Sequence, residues 1–216
     1  MNQRELQRKR TRQSLADHSL RLFDAQGFDD TTVEQIVAAA GVSQRTFFLH
    51  FATKAAAAFP DHAERVEHFR TRLGPGGVHA NPLPHLVTTM ASGLQANTPM
   101  RRIRYGLLAK VSALQDEDAR TDRDYEQVVV QYLVASWGRS VEARVRANAV
   151  ANAVLGVVRA SLIAWSVDGI DPVTVSYDLM RSMLCSPFDL PATLEHIALF
   201  GAVAAPAAPA APAAGA

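Results

Sequence analysis

The stretch TTVEQIVAAAGVSQRTFFLHFATK, residues 31–54, decides how this chain is read. Thr32 and Ser43 each stand just before a short run of helix-forming residues. Their side-chain oxygens can accept from the backbone N–H groups that a helix start leaves open. Gly41 separates the two runs, because glycine enters the left-handed conformation that a Cβ penalises. Two short helices joined by a tight, glycine-bearing turn form a helix-turn-helix. Ile36, Val37 and Ala40 are expected to face its interior, and Val42 to fill the angle between the helices. Phe47 and Phe51 are four residues apart, so they share one face of the second helix. That face is expected to meet Leu22, Phe23 and Phe28, around the end of a preceding helix spanning about 8–26.

This leaves Gln44, Arg45, Phe48, Leu49 and His50 on the outer face and edges. Arginine bonds a guanine edge with two donors, glutamine suits adenine, and threonine contacts either a base edge or a thymine methyl. Gln44, Arg45 and Thr46 lie at the N-terminal end of the helix, the end a recognition helix puts into a major groove. Thr32, Ser43, His50 and Lys54 suit phosphate, as do the free N–H groups at both helix starts. A helical hairpin with a merely solvated polar face is the alternative.

Together with LFDAQGFDD before it, the stretch resembles the N-terminal DNA-binding domain of the TetR family of transcriptional regulators. The likeness covers about residues 8–54. It implies that Thr32, His50 and Lys54 touch phosphates. It also implies that Gln44, Arg45 and Thr46 face base edges or the adjacent backbone. Two positions depart from the family pattern. Phe48 stands where many members carry a tyrosine, which keeps the packing and loses a backbone bond. Glu34 stands where a neutral or positive residue is common. It would repel phosphate mildly, accept from a cytosine amine, or point away.

The rest of the chain reads as helix. Helices are expected from Thr53 towards Leu73 and near 84–97, 99–115, 122–137, 141–168 and 171–186, with another possible over 191–201. GPGGVHANPLP, residues 74–84, reads as a linker or inter-domain turn. No stretch alternates with period two long enough for a sheet. The fold class is therefore all-α, and the resemblance implies an N-terminal three-helix DNA-binding domain and a larger C-terminal helical domain for ligand binding and dimerisation. The expected divisions are 1–54, 55–200 and an Ala/Pro-rich tail at 201–216.

In the 141–168 helix, Ala149, Ala153, Gly156 and Ala160 form a stripe of small residues beside an apolar stripe. A helix apolar around most of its circumference needs more than one covering surface. With Val175, Leu179 and Met183 of the following helix, it is the expected homodimer interface, the alternative being a central position in a monomeric bundle. Tyr105, Tyr125, Tyr132, Trp137 and Trp165 are candidate pocket residues for an unidentified small-molecule effector. MRRIR, residues 100–104, can attract an anion, but pairing with Asp116, Glu117 and Asp118, or solvent, is the preferred reading.

With 216 residues, 48% of them apolar and 20% charged, the chain suits a soluble globular protein large enough for a real core. Its net charge of +1 points to no partner. The first twelve residues are different: Arg4, Arg8, Lys9, Arg10 and Arg12 face only Glu5, giving a basic arm suited to a polyanion. The single cysteine, Cys185, excludes an internal disulfide and is read as a buried thiol in a reducing, cytoplasmic setting. The polar N-terminus does not resemble a secretory signal. Asn148, Asn152 and Arg159 interrupt the most apolar stretch, so no membrane span is expected. Asp61, Glu64 and His68 share a helix face, but no His-x-x-x-His pair or cysteine cluster joins them. No metal and no cofactor is expected. Ser161 and Ser166 lack a nucleophile-elbow context, and no enzyme activity is expected. The rival reading is a small-molecule-binding protein or enzyme whose hairpin is only structural.

Overall fold

The computed structural model describes residues 2–95 and 98–185. The possible helix at 191–201 and the Ala/Pro tail lie outside the described residues. Among the described residues the fold is helical, with no strand. Helix α1 (Gln3–Gln26) starts five residues before the expected point. Asn2 and Glu5 form a reciprocal capping box, each side chain bonding the other's backbone N–H at 2.9 Å. The basic arm is therefore the first turns of a helix.

Helices α2 (Val33–Ala40) and α3 (Gln44–His50) come next, as expected. Gly41 adopts φ 67°, and the Val42 N–H reaches back to the Val37 carbonyl at 3.0 Å. This left-handed cap satisfies carbonyls that α2 leaves open. The expected helix from Thr53 to Leu73 is instead a 3₁₀ turn (Ala55–Ala58) and a separate α4 (His62–Leu73). Pro60 stands between them, and a proline in mid-helix would remove one hydrogen bond and clash with the preceding turn.

Helices α5 (Leu83–Ser92), α6 (Pro99–Leu108), α7 (Ser112–Trp137), α8 (Val141–Asp168) and α9 (Pro172–Cys185) complete the described chain. The expected 99–115 helix breaks at 109–111, and its last residues belong to α7. No glycine or proline marks that break. Turning there lets Leu107, Leu108 and Leu114 all reach the core. The 74–84 segment is a turn between two packed helices, not a free linker. A Cβ on Gly76 would fall on the Tyr132 carbonyl oxygen and the Ala135 side chain, so the chain presses directly on α7. Cys185 ends α9 partly exposed rather than buried.

Two clusters of buried side chains hold the fold together. One gathers Phe23, Ile36, Phe47 and Phe51 of the N-terminal helices with Leu107, Leu108, Leu114 and Leu162. The other lies among α4, α5, α7, α8 and α9, around Leu86, Leu133, Val154 and Met180. Among the described residues α8 is the one helix long and apolar enough to cross a membrane by length and composition. It packs along α6, α7 and α9, with one side left uncovered.

Candidate nucleic-acid interface and effector cavity

Helix α3 is fixed from below by aromatic packing. Phe47 is completely buried and Phe51 nearly so, their ring centroids 5.6 Å apart. The Ser43 hydroxyl caps the helix, accepting from the Thr46 N–H at 3.2 Å and lying 2.9 Å from the Thr46 hydroxyl. Thr32 caps α2 through a second capping box with Gln35. Arg45 is exposed and forms no ion pair among the described residues. Phe48 and Leu49 are 56% and 67% exposed, an apolar pair on the outer surface of α3 that suits thymine methyl groups. Leu49 was not among the candidate contacts. Its place on the face was legible, but its exposure needs the packed structure.

Glu34 turns towards α3. It accepts a hydrogen bond from the Gln44 amide at 2.5 Å. Its own backbone, Thr32 and Gln44 hold the Glu34 carboxyl below the usual glutamate range. The acidic departure from the family pattern thus fixes one end of Gln44, the side chain expected to read adenine.

Lys54 is placed differently from the expectation. Its ammonium donates to the carbonyls of Phe28 (2.5 Å) and Thr31 (2.7 Å) and sits 4.2 Å over the Phe28 ring. It ties the turn before α2 to the end of α3, and an ammonium engaged this way has little left for phosphate. Arg12 has a similar internal role. It donates to the Pro60 carbonyl at 2.8 Å and to the His50 carbonyl, with its guanidinium 4.3 Å over Phe51. Lys9 pairs with Glu64 at 2.7 Å. Of the five basic residues at the N-terminus, Arg4, Arg8 and Arg10 remain exposed without such ties. His50 is half-buried. Burial, Arg12 and Arg8 push its imidazole below the ordinary histidine range, so near neutral pH it offers a hydrogen bond rather than a charge.

A cavity of about 880 Å³ opens between α4, α5, α6, α7 and α8. Tyr105 and Tyr125 line it, as expected, whereas Tyr132, Trp137 and Trp165 do not. Tyr132 is two turns beyond Tyr125 on the same face of α7, roughly 10 Å further along the axis. There it lies against Pro82 and His85. Trp137 sits under Arg146 and Trp165 beside Arg102.

The cavity wall is unexpectedly charged. Arg104 is buried at 6% exposure and faces Asp61 at 3.5 Å, so this member of MRRIR neither pairs with residues 116–118 nor meets solvent. Arg65 contacts the same carboxylate at 3.3 Å. Burial raises the Asp61 carboxyl, but Arg65 and Arg104 outweigh it and hold the group below its usual value. Across the cavity, Arg159 binds Asp118 at 2.8 Å and also Asp122. Asp61 and Glu64, two members of the carboxylate-histidine face on α4, are thus engaged by arginine and lysine. Among the described residues no three His, Cys, Asp or Glu side chains gather as a metal site.

On the uncovered side of α8, Ala149, Gly156 and Ala160 are exposed and Ala153 half-buried. Leu179 and Met183 of α9 are 46% and 47% exposed, and Val175 is half-buried.

Residues 15–56 match the family described as bacterial regulatory proteins, tetR family. The HTH-type transcriptional regulator TcmR of Streptomyces glaucescens is 43% identical over 83 residues. That match spans 38% of this chain and 36% of TcmR. Among solved structures, NalD, the secondary repressor of the MexAB-OprM multidrug efflux pump in Pseudomonas aeruginosa, aligns with a TM-score of 0.54 at 22% identity, covering 81% of this chain and 94% of NalD. Thermus thermophilus FadR, solved with lauroyl-CoA, aligns with a TM-score of 0.52 at 18% identity, covering 81% of this chain and 93% of FadR. At these identities the two structures speak for the fold alone. The N-terminal helices, residues 15–56, thus match the tetR family of bacterial regulatory proteins in sequence, and the described chain resembles NalD and FadR in fold.

Proposed function

We propose that this protein is a cytoplasmic transcriptional repressor that binds a palindromic operator as a homodimer and leaves it when a small molecule enters the cavity. The observation that carries the DNA reading is α3 itself. A helix anchored by buried Phe47 and Phe51 presents Arg45, Gln44 and Phe48 outward within the family-matched segment. Residues 1–54 then form the DNA-binding part, and the helices beyond them form the effector and dimer part. Arg45 and Gln44 contact base edges, with Thr46 and Phe48 beside them. Thr32, Ser43 and His50 bond phosphates, and the exposed N-terminal arginines add salt-dependent affinity.

The exposed small and apolar face of α8 and α9 supports dimerisation. Two helices from each protomer would cover it as a four-helix interface, with Ala149, Gly156 and Ala160 allowing close approach. This use of α8 fits better than a membrane span, since Arg159, about two thirds of the way along it, lies in a charged cluster. The cavity supports a ligand, because its volume lies within the ordinary range of small-molecule sites. Ligand release then works as a population shift. A ligand that binds one arrangement of the bundle more tightly favours a dimer whose two α3 helices are wrongly spaced for successive grooves, about 34–36 Å per turn.

Selection of sites from a random duplex pool, at two salt concentrations, tests this function. An enriched palindrome is expected. Weak binding with no enrichment, lost at the higher salt, would overturn it in favour of a ligand-binding protein with a structural hairpin.

A further inference from the structure

One end of the cavity gathers arginines around a single directly contacting carboxylate. Arg65 and Arg104 both contact the carboxylate of Asp61. Of the other acidic residues of the wall, Glu64 pairs with Lys9, and Asp118 and Asp122 share Arg159, Asp118 also lying within electrostatic reach of Arg65 and Arg104 without a direct contact. His68 and Arg72 also line the cavity, and Arg72 is held by the Ser92 hydroxyl.

Arg104 is the key residue. It is more than nine-tenths buried, its contact with Asp61 is long at 3.5 Å, and its Nε has no hydrogen-bond partner. A buried guanidinium with an open donor is unfavourable unless an anion completes it. Its ring neighbour Phe59, 5.5 Å away, supplies no acceptor oxygen. Tyr105 and Tyr125 line the same end, the Tyr105 hydroxyl within hydrogen-bonding reach of Arg65. Beyond them the wall turns apolar, with Phe69, Met90, Leu94 and Leu155.

We propose that this end of the cavity is an oxyanion subsite, and that the effector is an organic acid with its charged end on Arg104 and Arg65 and its apolar body along Met90, Leu94 and Leu155. A planar guanidinium presents parallel N–H donors that match the two oxygens of a carboxylate. The inference rests on reading the cavity as the effector site.

Calorimetric titration of the full chain with decanoate and with decanol, which share a tail and differ in charge, tests it. Decanoate is expected to bind about tenfold more tightly than decanol. Arg104→Met should bring the two to within about twofold while decanol still binds, which also shows that the cavity has survived. Should Arg104→Met fail to fold, Arg65→Gln, at a half-exposed position, should reduce the same preference in part. Equal binding of the two probes, or a preference untouched by these substitutions, overturns the oxyanion subsite and leaves the cavity reading standing. Failure of both probes to bind overturns the cavity reading as well.

Discussion

The core beneath α3 is closed and aromatic, whereas the bundle behind it surrounds a cavity of about 880 Å³ lined with arginine and aspartate. In the first region, cations tie the backbone together. Lys54 holds two carbonyls before α2, and Arg12 holds Pro60 and His50. In the second, cations face space. The comparison teaches that a closed core and a cavity use the same kinds of side chain in different ways. Beneath α3, Lys54 and Arg12 bond backbone carbonyls, whereas around the cavity Arg65, Arg104 and Arg159 meet carboxylates and the Arg104 Nε stays open.

Core truncation gives the largest expected difference. Phe47→Ala should destabilise the protein by about 3–5 kcal/mol, since no space around a fully buried ring can collapse. Met90→Ala, at the cavity wall, should fall near the lower end of its range, about 2 kcal/mol, because one side of Met90 already lacks neighbours. Denaturant unfolding of both variants checks this, and equal losses would break the comparison.

The charged wall comes next. Arg159→Ala leaves buried Asp118 unpaired and should cost on the order of 2–3 kcal/mol near neutral pH, after allowance for the half-exposed arginine. Burial already raises the Asp118 carboxyl, and losing Arg159 raises it further. A carboxyl raised in the folded state is penalised while ionised. The cost should therefore shrink as pH falls through the raised value, and a cost independent of pH would contradict this account.

On the DNA side, Arg45→Ala should weaken specific binding by about 1–3 kcal/mol and relax one base position, with unfolding unchanged. Lys54→Ala should do the reverse. It removes the donor of two carbonyls and should lower stability by about 1–3 kcal/mol. A Lys54 variant that melts normally and only flattens the salt dependence of binding would restore the phosphate role. The smallest effect belongs to Glu34→Ala, which frees the Gln44 amide. Site selection with this variant should shift the base preference opposite Gln44 with little change in affinity. An unchanged profile would mean that Gln44 reads no base.

The helix-turn-helix was legible because its determinants are local. Caps at Thr32 and Ser43, a left-handed glycine at 41 and aromatics four residues apart act within one or two turns. Other local signals were present but overlooked: the Asn2–Glu5 capping box and Pro60. The break at 109–111 has no local mark, since it arises from the burial of leucines on both sides of the turn. The cavity was legible only in part. Tyr105 and Tyr125 were found, but so were three aromatics that pack elsewhere, because spacing along a helix does not tell which neighbour it faces.

The sequence by itself determined the all-α class, the position of the helix-turn-helix and the resemblance to the tetR family. All three rest on patterns that span a few residues and repeat along the chain. Only the tertiary structure decided where the charges went. Glu34 turned to Gln44, Lys54 to two carbonyls, and Arg104 to a carboxylate 43 residues away. A charged side chain takes whichever partner the packed helices bring within a few ångströms. Helix packing is set by the apolar faces, which carry no record of where the charges will meet.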